Sequence, residues 1–398
     1  MAHTYAIFSA LYSPHVGGVE SFTENLSNEL ESEGNHAIVV TSQLGNSPSH
    51  EENDNGVEVV RFPSRQLMSG RFPIPIHNSE FEDAISFLRR EPIDRVLINT
   101  RFYPHTIEGL KLSETLRVPC VLLDHGSAYL TAGNAGVDAI IRLYEQSITK
   151  RVKRYQPIFA GISVASVQWL STFGIDTDLV IHNAVDGPQF RSLASGRDFR
   201  TECGISGDYP LIAFVGRLAP EKGPDIVVEM ARELEGEVEV VLAGDGAMRK
   251  RLQETASQNV HFLGNVKHPD LSALLLQADL FCLPSRSEGF CTSLLEASAC
   301  GTPSVITDVG GARELIPTPE YGYIVSEMSA PSVLEAVRQY FALDASERER
   351  MGTRCRNLVD NEFGWKNTLR MLEKAFLQVT DDSGGARLMK KTVEASIE

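Results

Sequence analysis

Short apolar runs rich in β-branched residues alternate with longer amphipathic stretches along nearly all of this chain. In the first half the runs are YAIFSAL, HAIVVTS, VEVVRFP, DRVLINT, VPCVLLD, PIFAGIS and LVIH. In the second they are PLIAFVG, VEVVLAG, VHFLG, LFCLP and SVITD. Most are apolar at successive positions, not at every second one. Such strands must be covered on both faces, which a parallel sheet achieves because its crossovers are helices. The stretches between fit helices. One runs from Val19 to Glu33 and is closed by Gly34, and Pro224 suits the first turn of another. Others start near Ala247, Asp270 and Ser293. The pattern predicts an α/β fold: two doubly wound, Rossmann-like parallel-sheet domains facing a cleft, with three long helical patterns after Ala330. In such sheets ligands sit beyond the carboxyl ends of the strands, so the chemistry is expected in the loops that follow them.

A length of 398 residues exceeds one ordinary core, which agrees with two domains. Residues 183–210, rich in Gly, Ser and Asp and without a sustained period, read as the connection. The boundaries expected are 1–186 and 187–365, with a polar, frayed tail over 381–398. With 42% hydrophobic and 23% charged residues the chain is neither disordered nor fibrous. Its net charge of −16 opposes bulk attraction to nucleic acid, so no nucleic-acid partner is expected. An anionic ligand would need a few well-placed cations and backbone amides. The six cysteines form no C-x-x-C and no zinc spacing, which suits free thiols in a reducing cytoplasm. No run of about 18 apolar residues exists, so no membrane-spanning helix is expected. MAHTYAIFSALYSP lacks the charged region and cleavage site of a signal peptide and reads as a first buried strand.

Several loops after strands carry candidate chemistry. YSPHVGGVESF places Gly17 and Gly18 ahead of a helix, where backbone amides could meet an anion or simply make a tight turn. AGDGAMRKRL follows a strand but has Arg249 where a third glycine would complete a dinucleotide fingerprint. FVGRLAPEKG sets Arg217 and Lys222 either side of a proline. They either stabilise charge on a departing diphosphate or form a solvated loop with Arg217 paired to Glu221. VLLDHGSAY puts His125 directly after a buried strand, as a substrate contact or a structural histidine. SRSEGFCTSLLEASACGTP carries two carboxylates, Glu288 in a loop and Glu296 inside a helical pattern. Ser293 and Glu296 also have capping-box spacing. In the functional reading, Gly289, Phe290, Cys291 and Thr292 offer amides at a helix start, while the two acids accept hydrogen bonds from sugar diols.

In order along the chain, GGVE, GRLAPEKG, LAGDGA and LPSRSEGFCTSLLEASACGTPSVITDVGG resemble the retaining, nucleotide-sugar-dependent glycosyltransferases of group 1, family-4 type, with the GT-B fold. The resemblance runs from about Tyr5 to about Val379. It implies a nucleoside-diphosphate sugar as donor, no cofactor, no metal, and a final helix over 366–380 returning to the N-terminal domain. Glu288 would bind hydroxyls of the donor sugar and Glu296 the ribose. Arg217 and Lys222 would hold the diphosphate. The amides of Gly289, Phe290, Cys291 and Thr292 would touch sugar and phosphate, Gly17 and Gly18 would approach the diphosphate, and His125 would stand at the reacting sugar. Two departures occur: Ala184 and Cys291 stand where the family often has glycine.

The implied reaction moves a sugar to an acceptor hydroxyl with retention at the anomeric carbon, in polysaccharide or glycolipid assembly. An epimerase, or a non-catalytic nucleotide-sugar-binding protein, would share much of the same site. The acceptor would bind the N-terminal half. There DAIIRLYEQSITKRVKRYQP gathers Lys150, Arg151, Lys153 and Arg154 near a helix end, suiting either weak peripheral contact with an anionic membrane or complementation of the helix dipole before Pro157.

Overall fold

The computed structural model describes residues 2–15, 17–68, 70–131, 133–205 and 208–378, so the expected tail lies outside the described residues. The chain forms two compact units. One contains the chain up to Ile162, Ser166–His182 and the segment from Thr368; the other contains Ser163–Ala165 and Asn183–Asn367.

The N-terminal unit carries β1 (Thr4–Phe8), β2 (His36–Ser42), β3 (His50–Glu52), β4 (Glu58–Phe62), β5 (Ser64–Leu67), β6 (Phe72–Pro75), β7 (Arg95–Asn99), β8 (Cys120–Asp124) and β9 (Ile158–Gly161). Among the described residues its main sheet has the order β3-β4-β2-β1-β7-β8-β9, while β5 and β6 pair as a ribbon. Neighbours in the main sheet are parallel except β3 and β4. Ile7 sits opposite both Val39 and Leu97, and Tyr5 to Phe8 are buried. That double burial is why the strand reads as an unbroken apolar run. The chain builds outward from β1 through β2 to β4, then returns to β7 on the other side. The switch point lies between β1 and β7.

The second unit holds β10 (Leu211–Val215), β11 (Glu239–Ala243), β12 (Val260–Gly264), β13 (Leu280–Leu283), β14 (Ser304–Thr307) and β15 (Gly322–Val325), in the order β12-β11-β10-β13-β14-β15, all parallel. Its switch point lies between β10 and β13, where Ala213 faces Phe281.

The expected run LVIH is not a strand. It meets the sheet only through an isolated bridge between Val180 and Gly161, because the chain turns polar at His182 and leaves the unit. The short pieces β3, β5 and β6 gave no apolar run to find, since their residues are polar or proline-bearing and half-exposed. The helix expected near Asp270 starts at His268, and that near Ala247 starts at Arg249. At the C-terminal end come helices Ala330–Ala342 and Ala345–Glu362, the latter opened by an Asp344/Glu347 capping box, and then residues 365–378. In the last of these Glu373 accepts from Arg95 and from the Tyr5 hydroxyl, and Phe376 packs edge-on to Tyr5 at 5.9 Å.

Candidate active site

In the second unit the loops after β10 and β13 are the two that flank the switch point, and they hold most of the candidate residues. They are tied together. The Arg286 amide donates to the Glu221 carbonyl at 2.8 Å, and Lys222 Nζ lies 2.5 Å from Glu288 Oε1. The Ser285 hydroxyl donates to that same oxygen at 2.6 Å. Burial is the largest single influence on Lys222 and lowers its pKa, but the charge and hydrogen bond of Glu288, with the neighbouring groups, together outweigh it and the net shift is upward. Lys222 is therefore a fixed cation, largely sheltered from water, beside a sheltered carboxylate. Arg217 is half-exposed and paired with Glu221 at 2.7 Å, as the solvated-loop reading of that stretch anticipates. An exposed pair of this kind holds by only about 0–1 kcal/mol, so it can exchange its partner.

The helix Thr292–Cys300 opens without a capping side chain, so the capping box between Ser293 and Glu296 is not made. Its N-cap is Cys291, held at φ 78°. That left-handed conformation is the physical reason glycine suits the position, and a side chain there costs on the order of 1–3 kcal/mol. Gly289 and Phe290 lie just before it: the Gly289 carbonyl accepts from the Ser163 hydroxyl at 2.8 Å, and the Phe290 carbonyl from the Gly311 amide at 2.9 Å. Thr292 Oγ1 accepts from the Asn183 side chain at 3.0 Å. Ala184, the other departure, does not take a positive φ, so alanine is accommodated there without backbone strain. Glu296 is buried on this helix. Instead of reaching back to its start, it lies 3.3 Å from Nε2 of His268, whose pKa is raised by the hydrogen bond to Glu296 against the effect of burial. Sequence reasoning passed over His268; it is the first residue of a helix after β12, the same kind of position that drew attention to the others.

The glycines of LAGDGA have a structural reason. At Gly244 a Cβ would overlap the Gly216 carbonyl, and the Gly216 amide bonds the Ala243 carbonyl at 3.0 Å. This loop braces the Arg217 loop from behind, which accounts for a glycine pair that is not a dinucleotide fingerprint.

In the N-terminal unit a cavity of about 240 Å³ opens at the ends of β1, β7 and β8, at the switch point. His125, Asn99, Glu20 and Ser9 converge on it, with Leu11 and Phe102 among its apolar walls. A hydrogen-bond chain fixes the His125 tautomer. Thr23 Oγ1 donates to the Val19 carbonyl at 2.7 Å, so it accepts from Asn99 Nδ2 at 2.9 Å. Asn99 Oδ1 is then the acceptor for His125 Nε2–H at 3.0 Å, which leaves Nδ1 as the acceptor nitrogen. Phe22 covers the imidazole edge-on at 5.0 Å, and burial pushes its pKa down to about 3. The ring is neutral at any ordinary pH.

Gly17 begins the helix Gly18–Ser32 in an extended conformation. A Cβ on Gly17 would overlap the Glu20 carboxylate, whereas Gly18 faces open space. Glu20 is buried and bonds His15 at 3.0 Å, and desolvation raises its pKa despite that histidine. The helix start therefore carries the chain's own carboxylate beside Gly17, a feature that GGVE shows but sequence reasoning did not use.

A second missed group sits behind His125. Arg101 is fully buried and bridges Asp124 at 2.9 Å and Glu145 at 2.8 Å, with its guanidinium 3.9 Å from the Phe173 ring centroid. Glu145 also accepts from the Leu130 amide at 2.9 Å, pinning the loop that starts at His125. Burial raises the pKa of both carboxylates, with Arg101 opposing.

The sequence and the fold are similar to those of known proteins. Residues 197–358 match the family Glycosyl transferases group 1, and residues 16–187 match Glycosyltransferase Family 4. The chain is 27% identical over 402 residues to a phosphatidylinositol N-acetylglucosaminyltransferase component of Arabidopsis thaliana, covering 96% of this chain and 84% of that one. Sucrose-phosphate synthase from Thermosynechococcus elongatus shares the fold at a TM-score of 0.76 and 20% identity, covering 96% of this chain and all of that one. An Anabaena protein solved in complex with UDP and glucose does so at 0.71 and 17%, covering 94% of this chain and all of that one. The chain belongs to the group 1 glycosyltransferases of GT-B fold.

Proposed function

We propose that the protein transfers a hexose from a nucleoside-diphosphate sugar to an acceptor hydroxyl, with retention at the anomeric carbon and without a metal. The observation that carries this reading is the sheltered Lys222–Glu288 pair on the two loops at the switch point of the second unit. Bond breaking to the sugar builds charge on the diphosphate. A cation already desolvated and fixed in place stabilises that charge without reorganising at the moment of reaction. Lys222 supplies this cation. Arg217 joins it by exchanging Glu221 for phosphate, and the amides of Phe290, Cys291 and Thr292 take up further charge. Glu288 accepts from hydroxyls of the transferred sugar and Glu296 from the ribose. Retention follows if the acceptor attacks on the face the diphosphate leaves, with the departing phosphate taking its proton.

His125 does not act as a general base in this scheme. A neutral imidazole with so low a pKa has little tendency to hold a proton at neutral pH. With Nε2–H committed to Asn99, Nδ1 accepts a hydrogen bond from a sugar hydroxyl. An anion would reach the Gly17–Gly18 turn only once the Glu20 carboxylate moves or takes a proton. The phosphatidylinositol in the name of the Arabidopsis relative supports an acceptor in glycolipid or polysaccharide assembly, and the Anabaena complex supports UDP in the donor.

The test is thermal unfolding with UDP, GDP, ADP and their sugar conjugates, on wild type and Glu296→Ala. A ligand at a hundred times its dissociation constant adds about 2.7 kcal/mol and lifts the midpoint by a few degrees. One nucleotide should shift the wild type, with the shift lost in the variant. If no nucleotide shifts the wild type, the transferase site is misassigned. A shift without turnover on any acceptor would identify a binding protein instead.

A further inference from the structure

The N-terminal unit has a second and larger cavity, about 620 Å³, that shares no lining residue with the His125 pocket. It is a groove between the helices Pro104–Leu116 and Ala135–Lys153. These follow neighbouring strands β7 and β8. Ile107 and Ile148, both buried, form its floor with Pro104 and Tyr144. Four cations line it, Lys111, Lys150, Arg151 and Arg154, against one carboxylate, Glu108. Glu108 is already engaged: Lys111 Nζ bonds it at 2.9 Å and His77 Nε2 lies 3.3 Å away. Lys150, Arg151 and Arg154 are exposed at the groove and form no ion pair among the described residues.

The four-cation cluster read from the sequence is therefore not one cluster. Lys153 turns away and donates to the carbonyls of Phe173 and Gly174 at 3.0 and 2.7 Å, closing the turn after the helix Val164–Ser171. The helix dipole accounts for cations in the last turn of Ala135–Lys153. It does not account for an apolar-floored groove, nor for Lys111 facing it from the other helix. Crowding like charges is unfavourable unless an anion meets them, and this chain carries a net charge of −16. The volume lies in the range of small-molecule sites, and the floor suits carbon while the rim suits phosphate.

We propose that this groove binds a phosphate-bearing organic anion, held by Lys150, Arg151 and Arg154, at a site separate from the donor machinery. The phosphate can belong to a soluble ester or to a lipid headgroup, and the two sources are separable. Binding is measured by calorimetry with sn-glycerol 3-phosphate, and by flotation with vesicles of mixed phosphatidylglycerol and phosphatidylcholine against phosphatidylcholine alone. The variants are Lys150→Glu/Arg151→Glu and a charge-matched control in the other unit, Lys250→Glu/Arg251→Glu; Lys150→Gln/Arg151→Gln serves if the first does not fold. Each surface cation near an anionic membrane is worth about a factor of five, so the groove variant should lose at least about tenfold where the control does not. Loss of glycerol phosphate binding identifies a soluble ester, and loss of vesicle binding alone identifies a headgroup. If wild type binds neither probe, or the groove variant binds both as the control does, the proposal is overturned. The nucleotide-induced midpoint shift should be the same in every variant, so failure here is distinguishable from failure of the donor site.

Discussion

The two units place charge at their switch points in opposite ways. In the N-terminal unit Arg101 is 1% exposed and locked between Asp124 and Glu145, and it lines neither the His125 pocket nor the cationic groove. In the second unit Lys222 is 22% exposed with a single carboxylate, and Arg217 is 49% exposed with a single weak one. A fully enclosed ion triad shapes a loop. Partly enclosed pairs are free to trade partners, as the proposed diphosphate site requires. The same residue types are therefore locked in place in one unit and left exchangeable in the other, and burial decides which.

The sharpest way to break that contrast is Arg101→Met. It strands two buried carboxylates, and breaking such a set costs on the order of 3–5 kcal/mol. Urea unfolding should show the loss; a change below about 1 kcal/mol would mean the triad is not the brace described here. Lys222→Ala should instead fold well and lower turnover by at least about tenfold, as expected for a lost charged hydrogen bond. Unchanged turnover would remove Lys222 from the chemistry.

These two positions also show what the sequence made legible. Lys222, Glu288 and Glu296 lie in contiguous stretches whose order is distinctive, so the second unit's candidate site could be read as words. The N-terminal site has no such words. Asn99 ends β7, Glu20 sits in a first helical turn, and Arg101, Asp124 and Glu145 come from three separate elements. The parallel registers of β1, β7 and β8 bring together the loops and helices that carry them. The fold was legible because strands buried on both faces leave unbroken apolar runs, and it failed at LVIH, β3, β5 and β6, where burial is one-sided or slight. The capping-box reading of Ser293 and Glu296 failed because spacing alone does not say whether a helical side chain turns back to the helix start or outward to a neighbouring helix.

Asn99→Ala probes the dispersed site. It removes the acceptor that fixes His125 and leaves the imidazole free to rotate or change tautomer. Turnover should fall about three- to tenfold, the cost of one neutral hydrogen bond, with the nucleotide-induced midpoint shift retained. Loss of both would mark Asn99 as structural for the whole chain instead of a positioning residue for His125.

The smallest effect expected is a pH dependence in the second unit. The hydrogen bond to Glu296 raises the His268 pKa above the usual 6.5, against burial and with help from the charge attraction. The folded chain then binds that proton more tightly than the unfolded one. The stabilisation is complete below pH 6.5 and is lost as pH rises through the raised value. His268 is 66% exposed, so solvent screening holds the effect below about 1 kcal/mol. Wild type and His268→Ala should differ in midpoint by roughly one or two degrees at acid pH and converge on the alkaline side. A difference that grows with pH would have the wrong sign for an imidazolium–carboxylate pair. It would then be burial, and not Glu296, that governs His268, and Glu296 would be free of a competing cation when a ribose arrives.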